Sequence, residues 1–246
     1  MLLEKLNDII NGNDENNTIV IFCRYVKEHI EDIPVMTLDE LSKKIYISRG
    51  QISKSVRRLG YENYGDFRDA CRSVSHSFSR TIKLIAKDED IVKSGMRILD
   101  EAYGNIQFML MHVNKDKVER MFGKMRYAKT VYLFGRGDAH LDCYILENGL
   151  SRAGIPCVLC DAEFRNAYHM KEDDVLIFVS VNGDTFHFDK RLIHQLEESL
   201  VEKWLITCRK DLPFAGEHLV LPVKSPQYNQ FVMRYFVDLC AQALMD

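Results

Sequence analysis

The sequence predicts two domains of different class: an all-α helix-turn-helix N-terminal domain, then an α/β C-terminal domain with a mostly parallel, doubly wound sheet. Three observations predict it. Up to about residue 114, apolar residues recur at spacings of three and four, and no strand pattern interrupts them. Within that stretch two capping boxes, Thr37-Leu38-Asp39-Glu40 and Ser48-Arg49-Gly50-Gln51, start 11 residues apart. From Thr130 onward, short apolar runs alternate with helical segments, the pattern of a parallel sheet covered on both faces.

The elements follow in order. Leu2, Leu3, Leu6, Ile9 and Ile10 form the stripe of a first helix that Asn11-Gly12-Asn13 ends. Val20, Cys23, Val26 and Ile30 mark a second, closed near Pro34. In each capping box side chains satisfy N–H groups that the first helical turn leaves orphan, so two short helices start after Thr37 and Ser48. Ile45-Tyr46-Ile47 is the tight connection that makes them a helix-turn-helix. Ile52, Val56 and Leu59 turn the second of these helices toward the core. The opposite face presents Arg49, Gln51, Ser53, Lys54 and Arg57, with Ser48 as the cap. Arginine and glutamine make bidentate contacts with guanine and adenine, whereas lysine and serine more often hold phosphate. The plainer alternative is a basic, solvated helix on a helical domain. Tyr64 and Phe67, at helical spacing, are expected to pack the core.

From residue 73 to 114 the rhythm stays helical, with Ile98, Ala102, Ile106, Met109, Leu110 and Val113 on one stripe that suits a partner subunit too. The expected domains are therefore 1–76 (helix-turn-helix), 77–114 (helical linker) and 115–246 (α/β). In the last, strands are expected at Val131–Phe134, Cys157–Cys160, Val175–Val179, Lys203–Thr207 and His218–Leu221. Helices are expected at Ala139–Ala153, Asp184–Ser199 and Asn229–Leu244.

Composition narrows the function classes. The chain has 246 residues, 46% hydrophobic and 28% charged, as in a soluble globular protein. No apolar run approaches the roughly 20 residues of a membrane helix, and the start lacks a signal-peptide core, so a cytoplasmic protein is expected. The seven cysteines are scattered. Cys157 and Cys160 form a CxxC without the further ligands a zinc site needs, so core packing is expected, with no metal and no cofactor. Net charge is −3 but unevenly spread: from Thr37 to Ala86 ten lysines and arginines face five carboxylates, a local +5. That asymmetry is a reason to look for a nucleic-acid face there.

Ser48 through Arg68, with Arg57-Arg58-Leu59-Gly60-Tyr61 and the following aromatic-x-x-Phe-Arg stretch, resembles the N-terminal domain of RpiR-family regulators. Two loops extend the likeness. Gly135-Arg136-Gly137-Asp138-Ala139 follows the first strand and leads into a helix N-terminus, and Ser180-Val181-Asn182-Gly183-Asp184-Thr185 follows the Val175–Val179 strand. A dinucleotide fingerprint is excluded, since its third glycine and ribose-binding acid are missing. Together the loops resemble the SIS (sugar isomerase) domain, the effector domain of that family, whose second loop has the pattern Ser-x-Ser-Gly-x-Thr.

The resemblance implies a sequence-specific transcriptional regulator that binds a double-stranded DNA operator as a homodimer or homotetramer and senses a sugar-phosphate effector. Its ligand-binding residues would be Gly135, Arg136, Gly137, Ala139, Ser180, Asn182, Gly183 and Thr185. This sequence departs from the pattern at Ala139, where serine is common, at Asp138 before it, and at Asn182. Losing a hydroxyl bonded to a charged phosphate removes roughly 1.5–3 kcal/mol, so a degenerate effector site is one alternative. The other is an isomerase-like enzyme, for which Glu147, His169 and His187 are the candidate acids and bases. The basic helical domain argues against it.

Overall fold

The structure, a computed structural model, describes residues 2–12, 17–80, 84–85, 89–160, 168–183 and 201–245, without the side chains of 73 and 75–80. Thr185, His187 and the helix expected at Asp184–Ser199 lie outside the described residues. The chain divides into two compact units, Met1–Lys83 and Leu84–Asp246.

The first unit comprises α1 (Leu2–Gly12), α2 (Thr18–Glu28), a 3-10 turn (Ile33–Val35), α3 (Leu38–Ile45), α4 (Arg49–Arg58) and α5 (Tyr64–Arg80). The stripes seen in the sequence converge on one core that includes Leu6, Val20, Cys23, Val26, Leu41, Ile52, Val56 and Phe67. Both capping boxes form. Thr37 Oγ1 accepts from Glu40 N at 3.2 Å while Glu40 Oε2 accepts from Thr37 N at 2.7 Å. Ser48 Oγ accepts from Gln51 N at 3.3 Å, and Gln51 Oε1 accepts from Ser48 N at 3.2 Å. At its far end α4 is closed by Lys5, whose Nζ donates to the Leu59 carbonyl at 2.9 Å. Phe67, fully buried, meets Phe22 and Tyr61 at ring-centroid distances of 5.5 and 5.6 Å, so the aromatics after α4 brace it from within.

The second unit comprises α6 (Ile91–His112), α7 (Lys115–Tyr127), β1 (Val131–Gly135), α8 (Asp138–Arg152), β2 (Cys157–Leu159), β3 (Val175–Val179), β4 (Glu202–Thr207), β5 (Glu217–Val220) and α9 (Asn229–Ala243). The strands form one sheet in the order β2-β1-β3-β4-β5, and every described pairing is parallel. Alternation along the strands makes two cores. Val131, Leu133, Ile177 and Ile206 join α8 and α9 on one face; Phe134, Leu176, Phe178 and Leu205 form the other cluster. This is the parallel α/β architecture that the alternation of strands and helices predicts; the described helices of this unit lie against the first of the two cores.

Four local points need correction. Helix α7 has no counterpart in the sequence reading; Asn114 caps it, and Met121 and Met125 are buried beneath a surface of lysines and arginines. The expected linker 77–114 is shared between the units: α6 packs on α9, and Asn105 Oδ1 accepts from Lys224 N and Ser225 N at 3.0 and 2.9 Å, so that helix is built into the second unit. Leu110 is exposed rather than part of the inward stripe. Strand β2 is half-buried, not buried, because it lies at the sheet edge and pairs with β1 alone.

Candidate functional site

From β1 the chain crosses to β2 on one side and then returns to β3 on the other. The carboxyl ends of β1 and β3 are therefore the topological switch point, where open α/β sheets leave a crevice for ligands. Both candidate loops sit there. At Gly135 a Cβ would lie 2.5 Å from the Ala139 carbonyl oxygen, so only glycine lets β1 run directly under the first turn of α8. Gly183 has φ +86°, and a Cβ would meet Leu212 Cδ2 at 2.3 Å, which fixes the second loop in a form closed to other residues.

The polar groups at this crevice are only partly satisfied. Ser180 is 1% exposed, and its hydroxyl has no hydrogen-bond partner among the described residues. The same holds for Nε of Arg136, 9% exposed, and for His140 Nδ1 and Asn229 Oδ1. Buried polar groups are normally paired, so unmet ones on the elements that meet at a switch point suit a polar ligand or water. The Ser180 amide is already used, donating to the Ile206 carbonyl at 3.0 Å, which leaves the hydroxyl as its contribution. Ala139 is the one expected ligand-binding residue with nothing left to give. Its methyl lies in the core, and its N–H donates to the Arg136 carbonyl at 3.2 Å. Gly137, with φ +60°, and the exposed Asp138 form the open lip.

Sequence reasoning missed the groups that come from the far end of the chain. Asn229, at the start of α9, donates from Nδ2 to Asn182 Oδ1 at 2.7 Å. Arg209, after β4, is exposed and reaches the Asn182 carbonyl with Nη1 at 3.5 Å, bringing a cation to the second loop. Thr207 Oγ1, buried, accepts from Arg209 N at 3.1 Å. Behind the crevice the fully buried Asp142 of α8 accepts from Arg234 Nε and, at 3.2 Å, from Gln230 Nε2, both on α9. Burial pushes the Asp142 carboxyl above the usual range; Arg234 and Gln230 oppose that shift. No local spacing announces any of these pairs.

Glu147 and His169 do not join the crevice. Glu147 lies nine residues along α8 from Asp138, about 13 Å down a helix that runs away from the strand carboxyl ends. His169 is exposed beside Tyr168, whose ring packs at 6.1 Å against Tyr132 in the amino half of β1. Cys157 is half-buried on β2, its Sγ 3.7 Å from the Glu147 carbonyl, and Cys160 is buried.

In the helical unit, α4 buries Ile52, Ser55, Val56 and Leu59 and exposes Arg49, Gln51, Lys54 and Arg57, with Ser53 half-buried. Not every cation of the basic segment is available to a partner. Arg68 Nη1 and Arg72 Nη2 donate to the carbonyls of Met36 and Pro34 at 3.4 and 3.3 Å, closing the 3-10 turn. Arg49 Nε pairs with Asp39, an exposed bond of small worth that a stronger acceptor can replace. Gln51 holds its side-chain carbonyl in the capping box, leaving its amide nitrogen for any outside contact.

No protein-family model matches the chain. In sequence it is related to HTH-type transcriptional regulators: 24% identical over 195 residues to GlvR of Bacillus subtilis, covering 74% of this chain and 68% of that protein. It is 21% identical over 193 residues to an HTH-type regulator encoded in the aarA 3' region of Providencia stuartii, covering 75% of this chain and 66% of that one. The chain spans about two thirds of the length of these curated relatives. In fold it is similar to the Vibrio vulnificus NanR protein complexed with ManNAc-6P, with TM-score 0.53 and 19% identity, over 100% of this chain and 91% of that one.

Proposed function

We propose that the protein is a DNA-binding transcriptional regulator whose α/β unit senses a sugar phosphate and thereby modulates operator binding. The observation that carries this reading is the set of unmet buried polar atoms at the switch point, on Ser180, Arg136, His140 and Asn229, in the same chain as a capped helix with a cationic outer face. The relatives GlvR and the Providencia protein are HTH-type regulators, and NanR binds the sugar phosphate ManNAc-6P, which supports the same pairing of units.

In this reading Lys54 and Arg57 hold the DNA backbone while Arg49 and Gln51 turn toward base edges, with Ser48 and Ser53 beside them. The phosphate of the effector lies between the loop at Gly135, Arg136 and Gly137 and the loop at Ser180, Asn182, Gly183 and Thr185. Arg136 and Arg209 offset the charge of Asp138 there. For the alternative, a proton-transferring enzyme, a general base must reach its substrate within hydrogen-bond distance; Glu147 and His169 lie away from the two loops, and His187 is outside the described residues. Two copies of the chain present two helix-turn-helix heads to a palindromic operator, and ligand binding shifts their spacing only as far as it prefers one arrangement.

The test selects duplexes from a random library with the full chain, then titrates the selected DNA in gel shifts with and without a sugar-phosphate panel. A combined Arg49→Ala, Lys54→Ala, Arg57→Ala variant should lose operator binding. Ser180→Ala and Thr185→Ala should keep it but lose the effector response. Parent-like binding by the triple variant removes the DNA reading; DNA binding that no sugar phosphate alters indicates a degenerate effector site.

A further inference from the structure

The turn between α3 and α4 holds an oddity. Tyr46 closes α3 with φ 54° and ψ 34°, the only described non-glycine residue with positive φ. Glycine or asparagine takes such a left-handed C-terminal position at little cost; a tyrosine is strained there. Packing does not compensate, because Tyr46 is 95% exposed while its neighbours Ile45 and Ile47 are buried. The turn is held without it, by those two residues and by Ser42 Oγ donating to the Ile47 carbonyl at 2.7 Å. A strained, solvent-facing aromatic ring that the fold does not need is a candidate for function.

Its neighbourhood indicates which. Asp39 and Lys43 share one strip of α3, and Tyr46 is the residue that caps the helix three positions on. Asp39 anchors that strip to the leading end of α4 through Arg49. Lys44 is exposed next to it. The acids nearby are engaged: Asp39 by Arg49, and Glu40 by Thr37, whose bonds hold the Glu40 carboxyl below its usual range, with Lys44 and Lys43 contributing. This end of α3 therefore presents two exposed ammonium heads and a phenol on the helix that Asp39 ties to the N-terminal end of α4.

We propose that Lys43, Lys44 and Tyr46 form a second, sequence-independent contact line to the phosphate backbone of duplex DNA, and that the strained turn is kept to present Tyr46 for it. The proposal rests on the DNA-binding reading above and assigns to the turn a task separate from that of α4. The phenol donates to a phosphate oxygen, and each lysine replaces a condensed counterion.

Full-length Tyr46→Gly, Tyr46→Asn, Tyr46→Phe and Lys43→Ala/Lys44→Ala variants are titrated against a random-sequence duplex at several salt concentrations, with Lys54→Ala as the reference, and melted without DNA. Tyr46→Gly and Tyr46→Asn should raise the melting temperature by roughly 4 °C, by relief of strain, yet weaken duplex binding by roughly tenfold. Tyr46→Phe should weaken binding without changing stability, and the double lysine variant should lower the salt slope by about 2. A lower melting temperature in Tyr46→Gly, or turn variants that bind as the parent does while Lys54→Ala is weakened, overturns the proposal and leaves the regulator reading standing. A parent chain that binds no duplex, or a Lys54→Ala variant that binds unchanged, removes both.

Discussion

Ser180 brings a buried hydroxyl into the folded state with no partner among the described residues, and such a group costs the desolvation that water met in the unfolded chain. Its removal should not hurt the empty protein. Ser180→Ala is expected to leave the ligand-free melting temperature unchanged, or to raise stability by up to about 1 kcal/mol, while abolishing the stabilisation that a sugar phosphate confers on the parent. Thermal shift with and without ligand reads both halves, and a clear loss of ligand-free stability would mean the hydroxyl is structural. Ser48 is the opposite case. Its oxygen meets an orphan N–H of α4, so Ser48→Ala should cost about 1 kcal/mol in urea unfolding. It should also leave the Gln51 carbonyl with the backbone N–H of residue 48 as its one capping-box donor, loosening that side chain and altering which bases are selected in a duplex library. Unchanged urea unfolding would show that water replaces the cap at no cost.

Elements set by neighbouring residues were legible in the sequence; those set across the chain were not. Helices α3 and α4 begin where Thr37 and Ser48 predict, because a capping box is a contact across three residues. Strand β3 has the predicted bounds, Val175–Val179, since an apolar run flanked by acids and a serine has few other uses. Helix α7 escaped notice because its lysines and arginines, several tied to the sheet as in the Lys124–Glu202 and Arg120–Glu217 pairs, hide the short inward row of Val118, Met121 and Met125. Likewise the loops of the crevice were found by their glycines, whereas Asn229 and Arg209 come from elements whose position only the sheet order fixes. The Asp142–Arg234 pair, which ties α8 to α9 behind that crevice, is the least legible and the most consequential. Arg234→Ala would leave the fully buried Asp142 carboxylate with Gln230 as its remaining donor, a loss of about 2–3 kcal/mol at pH 7.5, below the roughly 3–5 kcal/mol of a wholly buried pair because Arg234 is itself partly exposed. The pH dependence has a definite sign. Burial already raises the folded pKa of Asp142 above its unfolded value, so its contribution is fullest at low pH and is lost as pH rises through the folded pKa. Without Arg234 the rise is larger. The deficit of the variant should shrink as the pH is lowered toward 5, and a deficit that grows on acidification would overturn this account.

The exposed apolar residues of the second unit bear on the molecule as a whole. On α6, Val92, Met96, Leu99, Tyr103 and Leu110 are exposed, and with the half-buried Ile106 they fall at alternating spacings of four and three, the repeat of a helix-pairing seam. Leu141 and Tyr144 on α8, and Phe231, Tyr235 and Leu239 on α9, add further exposed apolar surface. Such a row of exposed apolar residues suits a helix-pairing seam, and in the proposed reading the partner it would take is a second copy of the chain. A charge in the middle of the seam should then separate the copies without touching either the crevice or α4. Leu99→Glu is expected to fold with the melting profile of a dissociated chain and to run as a monomer in light scattering at concentrations where the parent is a dimer or larger. Because each lone head engages only one half-site, its affinity for a palindromic duplex should fall by at least tenfold, while its affinity for a single half-site stays that of the parent. If Leu99→Glu keeps the parent's mass, α6 is not the seam. If it becomes monomeric yet holds the palindrome as tightly as before, pairing of the α/β units is not what sets the two DNA-binding heads.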